Sequence, residues 1–449
     1  MAEIAPFRGI LYTPQAGDAA QLLAPPYDVI GEQERARLEA LDPHNCVRLI
    51  LPRPAPGQPD ASKYGAAAGL LRDWLDEGVL ARDTRPAIYR YHQIFHAEGG
   101  EFVRKGFVAR VKLRRFDEGV ILPHERTLSG PKLDRLQLMR ATRAHFSQIF
   151  GLYPDPERAS DALFAALERE APAVEARTPD GVTQRLWRLT DCEAIHALGA
   201  FLDERKVYIA DGHHRYETMI ALRDELRAQY PDARSSLDYG VMFFCNMDDP
   251  GLVVLPTHRV LRGIAGFDAA QLVERARPWF TVEQRPISGE GDGSLRAALA
   301  AAADLSSDGR ELPAFGLITP GTDEAAILTL RADADFSSVP ALPAHEALRS
   351  LDVTVLHAIV LETLLGLSRE SQARQDNLGY VKSWDGALAE RNAAGVQAVF
   401  LMNATRVGQV KAVSDVGEVM PQKSTYFYPK IASGLVMNPI VLDEDVDPA

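Results

Sequence analysis

The chain has 449 residues, 46% hydrophobic and 25% charged, with 49 Lys and Arg against 62 Asp and Glu and a formal net charge of -13. That length exceeds one typical domain and can bury a large core, and the composition is that of an ordinary globular protein. The acidity argues against a protein that coats nucleic acid, and no apolar run reaches membrane length.

The opening "MAEIAPFRGILYTPQAG" has no basic segment followed by a long apolar core, so no export signal is expected. A helix is expected over 61–80, "ASKYGAAAGLLRDWLDEGVL", and a strand over 105–113, "KGFVARVKL". Residues 131–150 read as a second helix, and 206–210, 239–247 and 251–256 as strands rich in β-branched and aromatic residues. The stretch 285–313, with Gly, Ser, Asp and an alanine run, is the weakest patterned and suggests an insertion or boundary. A third helix is expected over 351–367, and no repeat of 20 to 50 residues is visible. The sum is a mixed α/β (α+β) protein. Its three cysteines, Cys46, Cys192 and Cys245, form no CxxC pair, which suits a reducing compartment, with the cytoplasm as the expected location.

Polar segments repeatedly follow apolar runs. In "VYIADGHHRYET" a strand ends at Ala210, turns through Asp211 and Gly212, and enters a helix near His214. The N-H groups of such a helix start have no intrahelical acceptors and favour an anion. Arg215 adds a planar two-pronged donor, and His213 and His214 donate or accept according to protonation. Asp211 would repel phosphate, which makes it a candidate metal ligand or catalytic base; the plainer alternative is a helix cap. Residues 119–153 gather His124, Glu125, Arg126, Lys132, Arg135, Arg140, Arg143 and His145, with Arg140 and Arg143 expected one turn apart on one helix face. "LVVLPTHRV" brings Thr257, His258 and Arg259 out of a strand, and "MPQKSTYFYPKIASG" offers Lys423, Ser424, Thr425, Tyr428 and Lys430 to phosphoryl oxygens.

Other chemistries fit less well. No HExxH or Cys/His spacing backs zinc, and neither a GxSxG elbow nor a GxxxxGK[ST] or GxGxxG loop is present. Two carboxylates, Glu125 and Asp211, among many cations match phosphoryl transfer better.

Seven segments in order, "APFRGILYTP", "APPYDVI", "LPHERTLSGPK", "RATRAHFSQIFGLY", "YIADGHHRYET", "NMDDPGLVVLPTHR" and "MPQKSTYFYPK", resemble the bacterial family of unknown function numbered ten-fifteen. The Asp-Gly-His-His-Arg motif is similar to the phosphate-binding motif of ParB and sulfiredoxin-like proteins, a fold that also hosts kinases of free serine. That resemblance implies a ParB/sulfiredoxin-like phosphate-binding core over 1–265 with large insertions; the weak patterning places an insertion or junction over 266–335, and the C-terminal α/β portion, 336–449, contributes a basic loop that has no counterpart in the short motif. It implies a small-molecule phosphotransferase acting on the hydroxyl of free L-serine, with ATP, ADP or pyrophosphate as donor and magnesium as cofactor.

On this reading the catalytic residues are Glu125, Asp211 and His213, with Glu125 the base and Asp211 the magnesium ligand or serine-orienting group. Gly212, His214, Arg215, Arg140, Arg143, Lys423, Ser424, Thr425 and Lys430 would bind the donor, and His124, Thr257, His258 and Tyr428 the acceptor. The fold leaves open a nucleotide-binding or nucleotide-hydrolysing regulator and a non-catalytic metabolite sensor. The sequence fixes no oligomeric state.

Overall fold

The apolar run at 239–247 forms a strand, Tyr239–Asn246, buried at every position. Burial on both faces explains why it reads as a continuous hydrophobic run instead of an alternation. The computed structural model describes residues 2–125, 129–287, 293–303 and 312–449, so Arg126 and parts of the 285–313 stretch lie outside the described residues. The chain divides into two units: one takes the described residues of 1–123 and 127–253 with Phe427–Ala449, the other His124 and Glu125 with those of 254–426.

Among the described residues, the first unit holds a nine-stranded mixed sheet. Its order is Ile121–Leu122, Val207–Asp211, Ile149–Tyr153, Tyr239–Asn246, Gly100–Lys112, Ile88–Ala97, Thr183–Leu189 and Val174–Arg177, with Ile4–Ala5 also pairing to Gly100–Lys112. Tyr239–Asn246 runs parallel to Ile149–Tyr153, whereas Val207–Asp211 runs antiparallel to it. At Gly151 an added Cβ would lie 2.4 Å from the Met242 sulfur, so the close strand approach requires glycine. A satellite core gathers beside the sheet. The helix Ser62–Asp76 contributes Ala67, Leu71 and Trp74, whose spacing sets them on one helical stripe against Leu138 and Phe146. Trp74→Ala there would cost about 3 to 5 kcal/mol.

The helix expected at 131–150 is shorter. It spans Ser129–Thr142 and stops where Arg143 adopts a left-handed φ of 49°. The following apolar and aromatic residues then enter strands Ala144–His145 and Ile149–Tyr153, the ambiguity that a short apolar run leaves between helix and strand.

The second unit holds a six-stranded sheet among its described residues, ordered Phe280–Pro286, Glu324–Leu330, Ala314–Ile318, Val396–Met402, His258–Arg262 and Leu378–Val381. All its neighbouring pairs are antiparallel. Residues 266–335, expected as a junction, supply three of these strands. The alanine run forms the helix Gly293–Ala303, whose Leu295, Leu299, Ala302 and Ala303 pack into the core with Ala314 and Ile327. Small residues permit that close packing, and they also make the segment read as low complexity. The helix at 351–367 starts as an α-helix at Asp352–Val355 and continues as a π-helix over Leu356–Leu364. Mixed α/β architecture is therefore the fold class of this chain.

Candidate functional site

In the first unit the strand Val207–Asp211 breaks register against Ile149–Tyr153 between Ile209 and Asp211. A bulge of this kind re-aims a side chain at a strand end. Gly212 follows with φ 94°, and an added Cβ would meet the Arg215 guanidinium at 3.1 Å, so backbone and space both call for glycine. The 17-residue helix His213–Gln229 starts there.

Both oxygens of Asp211 hold a cation. Arg215 Nη2 donates to Oδ2 at 2.5 Å, and Lys430 Nζ donates to Oδ1. Burial pushes the Asp211 pKa up, but the charges of Lys430 and Arg215 outweigh it and hold the carboxyl well below its ordinary range. Arg215 Nη1 also donates to the Gln148 carbonyl at 2.5 Å, so the guanidinium is fixed from two sides. Its remaining N-H groups give an anion a planar set of donors. His213 is buried and adds to the field that lowers Asp211.

Arg104 and Gln148 were not legible as site residues. Arg104 is fully buried, with its guanidinium 4.8 Å from the Phe150 ring. It donates to the carbonyls of Tyr428 at 3.2 Å and Pro429 at 2.5 Å, and its Nε has no hydrogen-bond partner among the described residues. Gln148 Oε1 is likewise buried without one. Tyr27, from the "APPYDVI" segment, lies under the Arg135 guanidinium at 4.2 Å, and burial raises its pKa against the opposing charge of Arg215. The ring of Tyr428 packs edge-on to Phe95.

Arg140 and Arg143 are not a helical pair, because the helix ends between them. Arg140 forms an exposed ion pair with Glu225 at 2.6 Å, and Arg143 lies over Tyr230 at 5.9 Å. His214 is the second residue of the helix, and its carbonyl accepts from the Thr218 hydroxyl.

The second unit gathers another set. His124 is fully buried, and its Nε2 lies 2.9 Å from the Thr425 hydroxyl. Glu125 forms a β-bridge with Met420, whose N-H donates to the His124 carbonyl at 2.8 Å. Arg259 donates to the carbonyls of Thr257 and Lys423 and to His357 Nε2, and burial lowers its pKa to about 10. Ser424 donates to the Pro421 carbonyl at 2.5 Å, so the Ser424 and Thr425 hydroxyls both have partners within this unit. His258 packs inside this unit: Nδ1 accepts from the Met402 N-H at 3.0 Å, its ring is edge-on to Trp384, and burial drives its pKa down to about 3. Those contacts make it a core histidine.

The predicted residues thus fall into two clusters, with Asp211 to Arg215, Tyr428 and Lys430 in the first unit and His124, Glu125, Thr257 to Arg259 and Lys423 to Thr425 in the second. The magnesium expectation does not fit Asp211, whose two oxygens already hold cations. Among the described residues no group of three or more His, Cys, Asp or Glu is placed to hold a metal ion. No described helix is long and apolar enough to cross a membrane.

A family model described as "Protein of unknown function (DUF1015)" matches residues 4–354. The chain belongs to this family. No curated protein matches the chain. Among solved structures, it is similar to a conserved hypothetical protein from Pyrococcus furiosus, with 14% identity, TM-score 0.30, and 74% of this chain and 92% of that one covered. A free serine kinase variant in complex with ADP gives 12% identity and TM-score 0.33 over 73% and 87% of the two chains. A C-terminally truncated SbnI from Staphylococcus aureus gives 11% and 0.33 over 74% and 87%.

Proposed function

We propose that the chain is a small-molecule phosphotransferase whose first-unit cluster holds the phosphoryl oxygens of a nucleotide or pyrophosphate donor. The acceptor is the hydroxyl of a small amino acid, L-serine first. The observation that supports this reading is the clamping of Asp211 between Arg215 and Lys430 at the start of a long helix. With Arg104, whose charge feels Asp249 as well as Asp211, three cations face two carboxylates where helix N-H groups also favour an anion. Asp211 orients the two cations; it is not assigned as a metal ligand.

In the transfer, the acceptor oxygen bonds to phosphorus as the bond from phosphorus to the leaving phosphate oxygen breaks, and the hydroxyl proton passes to a carboxylate. His213 and His214 are proposed to contact donor oxygens.

Phosphorus NMR of the protein with magnesium, L-serine and ATP, ADP or pyrophosphate in turn tests the reading. A new phosphomonoester resonance with one donor is expected, and its absence with all three contradicts the activity.

A further inference from the structure

Away from Asp211, the first unit gathers three guanidinium groups on the single carboxylate of Glu444. Arg8 Nη2 and Arg82 Nη2 both donate to Oε2, the former at 2.9 Å, and Arg110 Nη1 donates to Oε1 at 2.8 Å. Arg82 Nε also donates to the Arg8 carbonyl at 3.2 Å, which ties the two residues together. Asp83, next in the chain to Arg82, accepts from Arg188 and from the Tyr89 hydroxyl, each at 2.8 Å. Three positive charges thus converge on one negative charge, and Arg82 and Arg8 repel Arg110.

This seat suits a dianion better than its occupant. Two guanidinium groups crowd one carboxylate oxygen, whereas a phosphate brings three acceptor oxygens and close to a second negative charge. The seat is open on one side: the Arg8 and Arg82 side chains are 40% and 27% exposed, but that of Arg110 is 2% exposed. A buried guanidinium needs an opposite charge beside it, so the seat is costly to leave empty. Burial pushes the Glu444 pKa up, but hydrogen bonds from Arg8, Arg110 and Arg82 bring it down to about 2, so mild acid does not release it. Another anion can take its place.

Glu444 lies in residues 440–449, irregular chain that follows the strand Asn438–Pro439. Scattered bonds hold this segment: the Arg234 N-H to the Leu442 carbonyl at 2.7 Å, the Ser236 N-H to the Glu444 carbonyl at 3.1 Å, the Val446 N-H to the Ser235 hydroxyl at 2.8 Å and the Ala449 N-H to the Ile4 carbonyl at 2.8 Å. Such segments open locally at lower free energy than packed sheet.

We propose that Arg8, Arg82 and Arg110 form a site for a phosphate dianion, in which Glu444 is the resident stand-in, and that phosphate displaces Glu444 and loosens residues 440–449. The dianion is free phosphate or the end of a small phosphomonoester. The site is independent of the phosphotransferase reading.

Amide hydrogen exchange over 440–449 in the full chain, slightly above neutral pH and at constant ionic strength, tests it with inorganic phosphate, glycerol 3-phosphate and acetate. Saturating inorganic phosphate or glycerol 3-phosphate is expected to speed exchange there about tenfold, and the one acting at lower concentration identifies the form bound. Acetate should have no effect, because a free monocarboxylate competes with a tethered one. An Arg8→Gln, Arg82→Gln double variant, with folding verified by thermal melts, should lose the response, and Arg215→Lys should keep it. Glu444→Gln should exchange fast without any added anion and gain more melting temperature from phosphate than wild type does. No saturable response to either phosphate compound, an equal response to acetate, a response that survives the double variant, or one lost in Arg215→Lys would each overturn the proposal.

Discussion

Asp211 in the first unit and Asp352 in the second are both largely buried carboxylates, yet their acidities move in opposite directions. Asp211 touches two cations, whose attraction exceeds the penalty of burial. Asp352 accepts from the Asn403 side chain at 3.0 Å, the Ala314 N-H at 3.1 Å and its own N-H, with the Arg259 charge the weakest of the opposing influences, and burial raises its pKa to about 7. Arg259 repeats the second pattern: it donates to carbonyls and a histidine, and burial pulls it down. Contact with opposite charge, more than depth, decides whether a buried group keeps its charge. Of these two carboxylates, Asp211 is the one held charged by contacting cations.

The largest expected effect comes from breaking that compensation. Asp211→Asn leaves Arg215 and Lys430 buried without their carboxylate and should destabilise the chain by about 3 to 5 kcal/mol in urea unfolding. A loss under about 1 kcal/mol would show that the pair is effectively solvated. Because the folded pKa of Asp211 is depressed, its contribution is present above the unfolded value near 3.9 and disappears as pH falls below it.

Asp352 should show the opposite sign. Its folded pKa is raised, so its contribution is complete below about pH 4 and declines as pH rises toward 7, by at most about 1.4 kcal/mol per pH unit. Asp352→Asn should therefore gain stability relative to wild type between pH 5 and 8. A pH-independent difference between the two proteins would mean that Asp352 ionises normally. The smallest effect belongs to Arg140→Ala: its pair with Glu225 is exposed, so the cost should stay below about 1 kcal/mol and pyrophosphate affinity should not change. A weakened affinity would return Arg140 to the donor site.

The strand, turn and helix around Asp211 were legible because an apolar run, a glycine and a helical pattern follow one another within a few residues. Arg215 could be read as an anion ligand, but its hold on Asp211 could not, since either residue type also serves at an exposed cap. Arg104 was hidden for a different reason. It lies in the strand Gly100–Lys112, where polar residues between apolar ones ordinarily face solvent, and here Arg104 and Arg110 are both buried. The basic loop was misread in part because sequence shows which side chains have hydroxyls, not which carbonyls they will meet: Ser424 and Thr425 bond internally, whereas Lys430 reaches Asp211 across 219 positions. Arg143 lost its expected helical neighbour to a left-handed residue that no glycine announced.

Arg215, fixed by Asp211 and the Gln148 carbonyl, is proposed to present a planar donor set to phosphate. Titration calorimetry of pyrophosphate into wild type and Arg215→Lys, with melting curves on both, separates the fork from the charge. A loss of about 1.5 to 3 kcal/mol, roughly 10- to 150-fold in Kd, is expected, because lysine keeps the charge but not the fork. Equal affinity in two equally folded proteins would return Arg215 to a structural role.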